Sequence, residues 1–176
     1  MEPNQANANQ EKAVVEPVIA VRNRHVVAFL VALWCFAIDI FTKTLARANL
    51  PNQESLPLLP SFIRLTHVTN TGAAFSLGQG NAQAVTFIAT LVFLLLLIWA
   101  VRRYRTGNNA FLEEIGVAIV LGAALGNLID RYIYGKVTDF LEFEFIHFPV
   151  FNLADVLIDV GIGLVLIAMF RKSTGR

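Results

Sequence analysis

The second half of the sequence places aspartates beside apolar segments at three points. Asp130 follows Asn127 near the end of one apolar run, and Asp155 follows Asn152 near the start of the next. Asp139 lies between the two runs. Polar groups inside or beside a membrane span are costly, so each of them needs a partner or a function.

Two carboxylates brought together can hydrolyse a peptide bond. Two aspartates within about 3 Å of each other cannot both ionise, so they share one proton and their apparent pKa values separate. The ionised carboxylate takes a proton from water, and the protonated one donates a proton to the peptide carbonyl. Nearby side-chain amides would hold the substrate backbone and stabilise the developing oxyanion.

Each of these polar groups also has a simpler structural interpretation. Asp130 and Arg131 would pair locally, Asn152 would cap the following helix, and Asp139 would be a loop carboxylate. Taken one at a time, these interpretations are favoured over a catalytic one. Together they explain less, because helix capping does not require two further aspartates at the same depth.

Other catalytic chemistries have little support in the sequence. His25, His67 and His147 are scattered, and no His-Glu-x-x-His motif occurs, so we expect no metal. No Gly-x-Ser-x-Gly motif occurs, and the glycines form no phosphate-binding pattern. Cys35 is the single cysteine and lies in an apolar run, which predicts a buried residue without a disulfide. We expect no cofactor.

The elements that position these residues are those of a membrane protein. Of the 176 residues, 56% are hydrophobic and 15% are charged, and the mean hydropathy is +0.59. Soluble domains are about half apolar and about a quarter charged. The net charge of +1 is spread over short basic segments, and we expect no nucleic-acid partner.

Four runs approach the length of about 20 apolar residues that a helix needs to cross a bilayer. These runs are residues 26–43, 83–101, 114–133 and 151–170. Residues 1–20 are rich in Asn, Gln, Glu and Ala, which predicts a disordered cytoplasmic tail. Residues 21–172 then form a single four-span domain, whose first span is retained because three more follow it.

Basic residues predict the orientation of the spans. They flank the start of the first run and the ends of the second and fourth: Arg22, Arg24, Arg102, Arg103, Arg105, Arg171, Lys172 and Arg176. Both termini are therefore expected in the cytoplasm, with the loops at about 44–82 and 134–150 facing outward. Those outward loops also contain Arg47, Arg64 and Lys136, so the bias is not absolute.

Two segments of the outward loops have the pattern of β-strands. Residues 141–145 alternate apolar and acidic side chains. Residues 62–68 are rich in β-prone residues and follow the breakers Pro57 and Pro60. The predicted fold class is an all-α membrane protein with four transmembrane helices and a small β-sheet on the outer, periplasmic surface.

From about residue 26 to residue 170, the sequence resembles signal peptidase II, the bacterial lipoprotein signal peptidase family. Five ordered blocks carry the resemblance: Asp39-Ile40-Phe41-Thr42-Lys43, Asn70-Thr71-Gly72-Ala73-Ala74-Phe75-Ser76, Gly126-Asn127-Leu128-Ile129-Asp130-Arg131, Val137-Thr138-Asp139-Phe140 and Phe151-Asn152-Leu153-Ala154-Asp155.

The resemblance implies that Asp139 and Asp155 form a catalytic dyad. It also implies a set of side chains that line the site and engage the substrate backbone: Asn70, Asn127, Arg131 and Asn152. In this interpretation Asp130 holds Arg131. Asp39 and Lys43 would form a structural polar pair at the outer end of the first span.

The resemblance also implies the substrate and the location. The family cuts a lipid-modified prolipoprotein just before its diacylglyceryl-modified cysteine, and the acyl chains hold the scissile bond at the interface. We therefore expect a multi-pass protein of the bacterial cytoplasmic (inner) membrane, in contact with membrane lipids and working as a monomer. Its active site would face the periplasm.

Asp159 departs from the family pattern, which has an uncharged residue there. It follows Asp155 by four residues, so the two side chains share one helix face. We expect the Asp159 carboxyl to stay protonated and hydrogen-bonded. The alternative is that its charge raises the pKa of the dyad.

Two other classes of function remain open from the residues alone. Carboxylates near membrane spans also occur in proton- or ion-conducting proteins. Such a protein should carry ionisable groups at mid-membrane, and the interior of the second run has none. The third class is a structural or assembly factor, in which the polar groups serve only helix packing.

Overall fold

The computed structural model describes residues 4–50, 55–72, 81–105 and 110–174. Its elements follow the order α1 (Asn4–Asn49), β1 (Ser55–Leu59), β2 (Ile63–Asn70), α2 (Ala82–Arg105), α3 (Phe111–Tyr134), β3 (Val137–Phe143) and α4 (Leu153–Ser173). Helices dominate, and the three strands form one small sheet. The predicted fold class of four membrane helices with a small β-sheet is confirmed.

Each of the four predicted runs corresponds to a helix that is long and apolar enough to cross a membrane. In α1 the apolar span is Asn23–Asn49, which extends six residues beyond the predicted end at residue 43. Arg47 therefore belongs to the last turn of this helix, not to an outward loop. The backbone is also helical from Asn4, where we predicted a disordered tail. Ala, Glu and Gln, which are frequent there, are good helix formers.

Helix α3 lies at the centre of the bundle and packs against the other three helices. Glycines allow the close approach on two sides. A Cβ on Gly122 would lie 2.2 Å from the Ala32 carbonyl oxygen of α1. Gly116 of α3 and Gly161 of α4 face each other so closely that a Cβ on either would clash with the other backbone. Small residues are a usual device for packing helices in a membrane.

The sheet is antiparallel with the strand order β1-β2-β3. Strand β2 covers most of the segment predicted from its β-prone residues, and β3 begins at Val137, before the alternating stretch. Strand β1 was not predicted because Pro57 indicated a break. Since β1 lies at the edge of the sheet formed by the described strands, one side of Pro57 has no strand neighbour among them, and its missing N–H is tolerated there.

The sheet packs on the end of the bundle where α1 ends. Ala46 and Leu50 of that end form a buried cluster with Phe140 of β3. The Phe151 carbonyl accepts hydrogen bonds from Phe140 N and Leu141 N at 2.9 and 2.8 Å. Residues 151 and 152 are thus held beside β3, and α4 begins at Leu153, two residues later than predicted. This pairing brings the start of α4 next to Asp139.

Candidate active site

Asp139 lies in the buried first half of β3 and is itself 2% exposed. Its Oδ1 accepts a hydrogen bond from Asn152 Nδ2 at 2.6 Å, and its Oδ2 accepts one from Asn70 Nδ2 at 3.1 Å. Burial raises the pKa of Asp139 to about 6, and the nearby charge of Asp155 acts in the same direction. The hydrogen bonds from Asn152 and Asn70 oppose the rise.

Asp155 lies in the first turn of α4 and closes a capping box with Asn152. The Asn152 side chain accepts from Asp155 N at 3.1 Å, and Asp155 Oδ2 accepts from Asn152 N at 3.1 Å. The predicted cap is therefore confirmed. The partial positive charge at a helix N-terminus favours a carboxylate at this position.

Asn127 and Asn152 connect the two aspartates. Asn127 Nδ2 donates to Asp155 Oδ1 at 3.1 Å, and Asn152 Nδ2 donates to Asp139 Oδ1. The two amides also contact each other, with 3.2 Å between Asn152 Nδ2 and Asn127 Oδ1. The sequence segments around residues 127, 139 and 152–155 thus meet at one end of the bundle, as predicted.

The predicted pair of Asp39 and Lys43 lies directly behind this site, and both side chains are fully buried. Lys43 Nζ donates to Asp39 Oδ2 at 2.6 Å and to Asn127 Oδ1 at 2.7 Å. The second bond directs the NH₂ of Asn127 toward Asp155. Asp39 Oδ1 accepts from Ala154 N at 3.0 Å, which ties the N-terminus of α4 to α1. The pair therefore holds the Asn127 amide and the N-terminus of α4 in their orientations.

Asp130 does not hold Arg131, contrary to the expectation from the resemblance. Its Oδ1 accepts from Arg47 Nη1 at 3.0 Å, and its Oδ2 accepts from Thr138 N at 2.9 Å. Adjacent residues of a helix point in different directions, so Asp130 and Arg131 cannot both face the same neighbour. Asp130 instead ties α3 to α1 and to the start of β3.

Arg47 and Thr138 are supporting residues that the sequence reasoning missed. Arg47 Nη1 also donates to Thr138 Oγ1 at 2.8 Å, and its guanidinium lies 4.5 Å from the centre of the Tyr134 ring. The helical spacing of Asp39, Lys43 and Arg47, four residues apart each time, was the available signal. It would have placed Arg47 on the polar face of α1.

Arg131 and Asn70 hold the chain segment that follows β2. Arg131 Nη2 donates to the Gly72 carbonyl at 3.0 Å, and Asn70 Oδ1 accepts from Gly72 N at 2.9 Å. Arg131 Nη1 also donates to the Asn127 carbonyl at 3.3 Å. Residues 73–76 of the second resembling block lie outside the described residues.

Asp159 is exposed on α4, one turn from Asp155. It makes no hydrogen bond to another described residue, so the hydrogen-bonded carboxyl that we expected is not found there. Within the described ranges, no three His, Cys, Asp or Glu side chains lie close enough together to hold a metal ion.

Comparison with known proteins shows the family to which this chain belongs. A family model described as signal peptidase (SPase) II matches residues 31–171. The chain is 40% identical over 151 residues to a lipoprotein signal peptidase of Nostoc punctiforme, covering 84% of this chain and 94% of that protein. It is also 40% identical over 146 residues to a lipoprotein signal peptidase of Gloeobacter violaceus, covering 83% of each.

Solved structures agree with these relatives. A bacterial membrane enzyme solved by the in meso method at 2.3 Å resolution superposes with a TM-score of 0.75 at 25% identity, covering 85% of this chain and 91% of that one. A second, solved at 1.9 Å, gives a TM-score of 0.70 at 26% identity, covering 81% of this chain and 92% of that one.

Proposed function

Because the chain belongs to the signal peptidase II family, it is a multi-pass bacterial membrane protease that removes signal peptides from prolipoproteins, and we propose that it does so as an aspartic endopeptidase. Asp139 and Asp155 are the proposed dyad. Family membership favours this function over ion conduction and over a purely structural role, the two alternatives that the residues alone left open.

The observation that carries the proposal is that Asn127 and Asn152 connect two carboxylates whose surroundings differ. Asp139 is buried in β3 with a raised pKa, which favours its protonated form. Asp155 lies at the start of α4, where the helix favours negative charge. We therefore assign the shared proton to Asp139 and the role of base to Asp155, with the titration belonging to the pair.

The proposed reaction needs no covalent intermediate with the protein. Asp155 takes a proton from water as the water oxygen bonds to the scissile carbonyl carbon, and Asp139 donates its proton to the carbonyl oxygen. The resulting tetrahedral diol collapses as the carbon–nitrogen bond breaks. The departing nitrogen takes a proton from Asp155, and one diol hydroxyl returns its proton to Asp139 as the carbonyl of the new carboxyl group forms, which restores the starting protonation of the pair. The Asn127 and Asn152 amides keep both carboxylates in position for these transfers.

The proposed cleavage site is the bond before a diacylglyceryl-modified cysteine. The acyl chains of such a cysteine hold it at the membrane interface, and the site lies at an end of the apolar helices. This placement reduces the entropy lost on positioning the scissile bond. We propose a monomer as the working unit.

The basic residues support an outer location for the site. Arg24 lies at the start of the apolar span of α1, while Arg103 lies in the last turn of α2 and Arg171 in the last turn of α4, all at the end of the bundle away from Asp139. Lys and Arg accumulate on the cytoplasmic side of membrane proteins. We therefore propose that both termini are cytoplasmic and that the sheet and the dyad face the periplasm.

Cleavage of a lipidated prolipoprotein by the purified protein tests the proposal. Asp139→Asn and Asp155→Asn should each lower kcat by about 10²–10⁴-fold, the usual contribution of a general acid or base. Glu144→Gln is the matched control, because Glu144 is an exposed carboxylate beyond the end of β3. Near-normal turnover of either aspartate variant would refute the dyad. Product masses that place the cut elsewhere than before the cysteine would refute the proposed specificity.

A further inference from the structure

A groove of about 500 Å³ opens between α1, α2 and α3, at the end of the bundle away from the dyad. Its walls are almost entirely apolar and include Phe29 and Leu33 of α1 and Leu97 and Val101 of α2. These four side chains are between 37% and 67% exposed within the chain. In a membrane, an open apolar groove of this kind is in contact with lipid chains.

The length of the groove corresponds to one leaflet. It extends from His25 to Phe36 along α1 and from Glu114 to Leu125 along α3. Eleven residue steps at a rise of about 1.5 Å give roughly 17 Å. Half of a hydrocarbon core about 30 Å thick is about 15 Å. An acyl chain of the leaflet opposite the dyad therefore fits along the groove, whereas a transmembrane helix would need twice this length.

At the end of the groove away from the dyad, where it reaches the membrane surface, Arg105 gives the rim a positive charge. His25, Glu114 and Arg105 line it there. The buried Glu114 already accepts a contact from His25 and lies 3.5 Å from Arg24. Arg105 is exposed and forms no ion pair with any residue in the described part of the chain. The rim therefore attracts negative charge.

We propose that this groove binds an anionic phospholipid, with one acyl chain between α1, α2 and α3 and the phosphate at Arg105. Basic pockets between membrane helices are typical sites for anionic headgroups. With the orientation proposed above, the lipid belongs to the cytoplasmic leaflet. The substrate's own signal peptide is a less suitable occupant, because its cytoplasmic end is positively charged and would meet the basic rim.

Lipid retention measured by native mass spectrometry tests this site. The full-length protein is released from bilayers that contain equal amounts of phosphatidylglycerol and phosphatidylcholine, and the lipids that stay bound are counted. We expect preferential retention of phosphatidylglycerol. Arg105→Gln should lower its retention about fivefold, the effect of one basic residue near an anionic group. Leu33→Trp, which narrows the groove from an exposed position, should lower the retention of both lipids.

Arg102→Gln is the matched control, because Arg102 is an exposed arginine of the same helix that does not line the groove. It should retain phosphatidylglycerol like the unchanged protein. Equal retention of the two lipids, equal losses in both arginine variants, or displacement of phosphatidylglycerol by a prolipoprotein substrate would each overturn the proposal. Since the readout is binding, an inactive protein whose lipid retention depends on Arg105 would support the lipid site and refute the proposed function.

Discussion

Asp139 and Asp155 carry the same side chain in different surroundings. Asp139 is a strand residue whose burial raises its pKa to about 6, while two amides donate hydrogen bonds to its oxygens. Asp155 receives a backbone N–H and a side-chain amide at the start of a helix. A pair of identical acids can thus divide the acid and base roles, because their surroundings differ.

Removing the Asn70 amide should move the alkaline limit of activity. Its hydrogen bond stabilises the ionised form of Asp139 and so lowers the pKa of that carboxyl. Because Asp139 must be protonated to donate, activity is lost as pH rises through the pKa of the pair. Asn70→Ala should therefore shift the alkaline limb of the kcat/KM profile to higher pH. At the pH optimum, we expect kcat/KM to fall by less than about tenfold, which is the usual contribution of one hydrogen bond between neutral groups.

The control for this profile is Asn49→Ala, which removes an exposed amide whose hydrogen bond to a described residue lies within α1. Its pH profile should coincide with that of the unchanged protein. A uniform loss in Asn70→Ala without displacement of the alkaline limb would mean that Asn70 acts on the substrate and not on the titration of Asp139.

Lys43→Met should destabilise the protein and reduce cleavage. The variant leaves the Asp39 carboxylate buried without its 2.6 Å partner, and removing one member of a buried ion pair costs about 3–5 kcal/mol. Asn127 also loses the donor that fixes its amide. Chemical denaturation in detergent micelles measures the first effect, and single-turnover cleavage measures the second.

The double variant Asp39→Asn/Lys43→Met separates these two effects. It removes both charges, while the amide oxygen at position 39 still accepts the Ala154 N–H. Much of the lost stability should return, because no unpaired charge remains buried. Cleavage should stay low, since Asn127 still lacks Lys43. Full recovery of cleavage would show that Lys43 acts only through Asp39.

At the scale of elements, α1, α3 and α4 meet at Gly126. A Cβ at this position would lie 2.1 Å from Asp39 Oδ2, which is itself bonded to Lys43. Gly126→Ala should therefore displace the polar pair, lowering the free energy of unfolding by about 1–3 kcal/mol and reducing cleavage. Thermal unfolding and cleavage of the same preparation provide the measurement.

Gly163→Ala is the matched substitution for Gly126→Ala. Among the described residues, no atom lies within 4 Å of a Cβ at Gly163, and alanine is the better helix former by about 1 kcal/mol. This variant should keep full cleavage and equal or exceed the stability of the unchanged protein. Equal behaviour of the two variants would contradict the close packing of Gly126 against Asp39.

The sequence was sufficient for the helices and for the convergence of the aspartates, because long apolar runs and polar groups beside them are local signals. It was insufficient for strand β1, where the tolerance of Pro57 depends on its place at the sheet edge. It also misjudged the partner of Asp130. Adjacency in sequence favoured Arg131, while the helix directs Asp130 toward Arg47 of α1. Both errors concern which elements become neighbours, and no local pattern contains that information.

At the scale of the whole molecule, the two ends of the bundle differ in chemistry. One end holds the dyad and the sheet, and two of its arginines are paired with acids, Arg47 with Asp130 and Arg64 with Glu142. The other end holds the arginines that end α2, the basic residues that end α4 and the rim of the lipid groove. This asymmetry is the physical basis of the proposed orientation, because cytoplasmic loops carry the excess of Lys and Arg.

Labelling single cysteines in intact cells tests that orientation. In a Cys35→Ala background, which removes the buried native thiol, Glu144→Cys places a thiol just beyond β3 and Thr174→Cys places one at the end of α4, both at exposed positions. A membrane-impermeant maleimide admitted to the periplasm should modify the cysteine at position 144 in intact cells and the one at position 174 only after the cells are opened. Both variants should retain cleavage, since neither residue contacts the dyad. The reverse labelling pattern would place the site on the cytoplasmic side. The proposed bound lipid would then belong to the periplasmic leaflet.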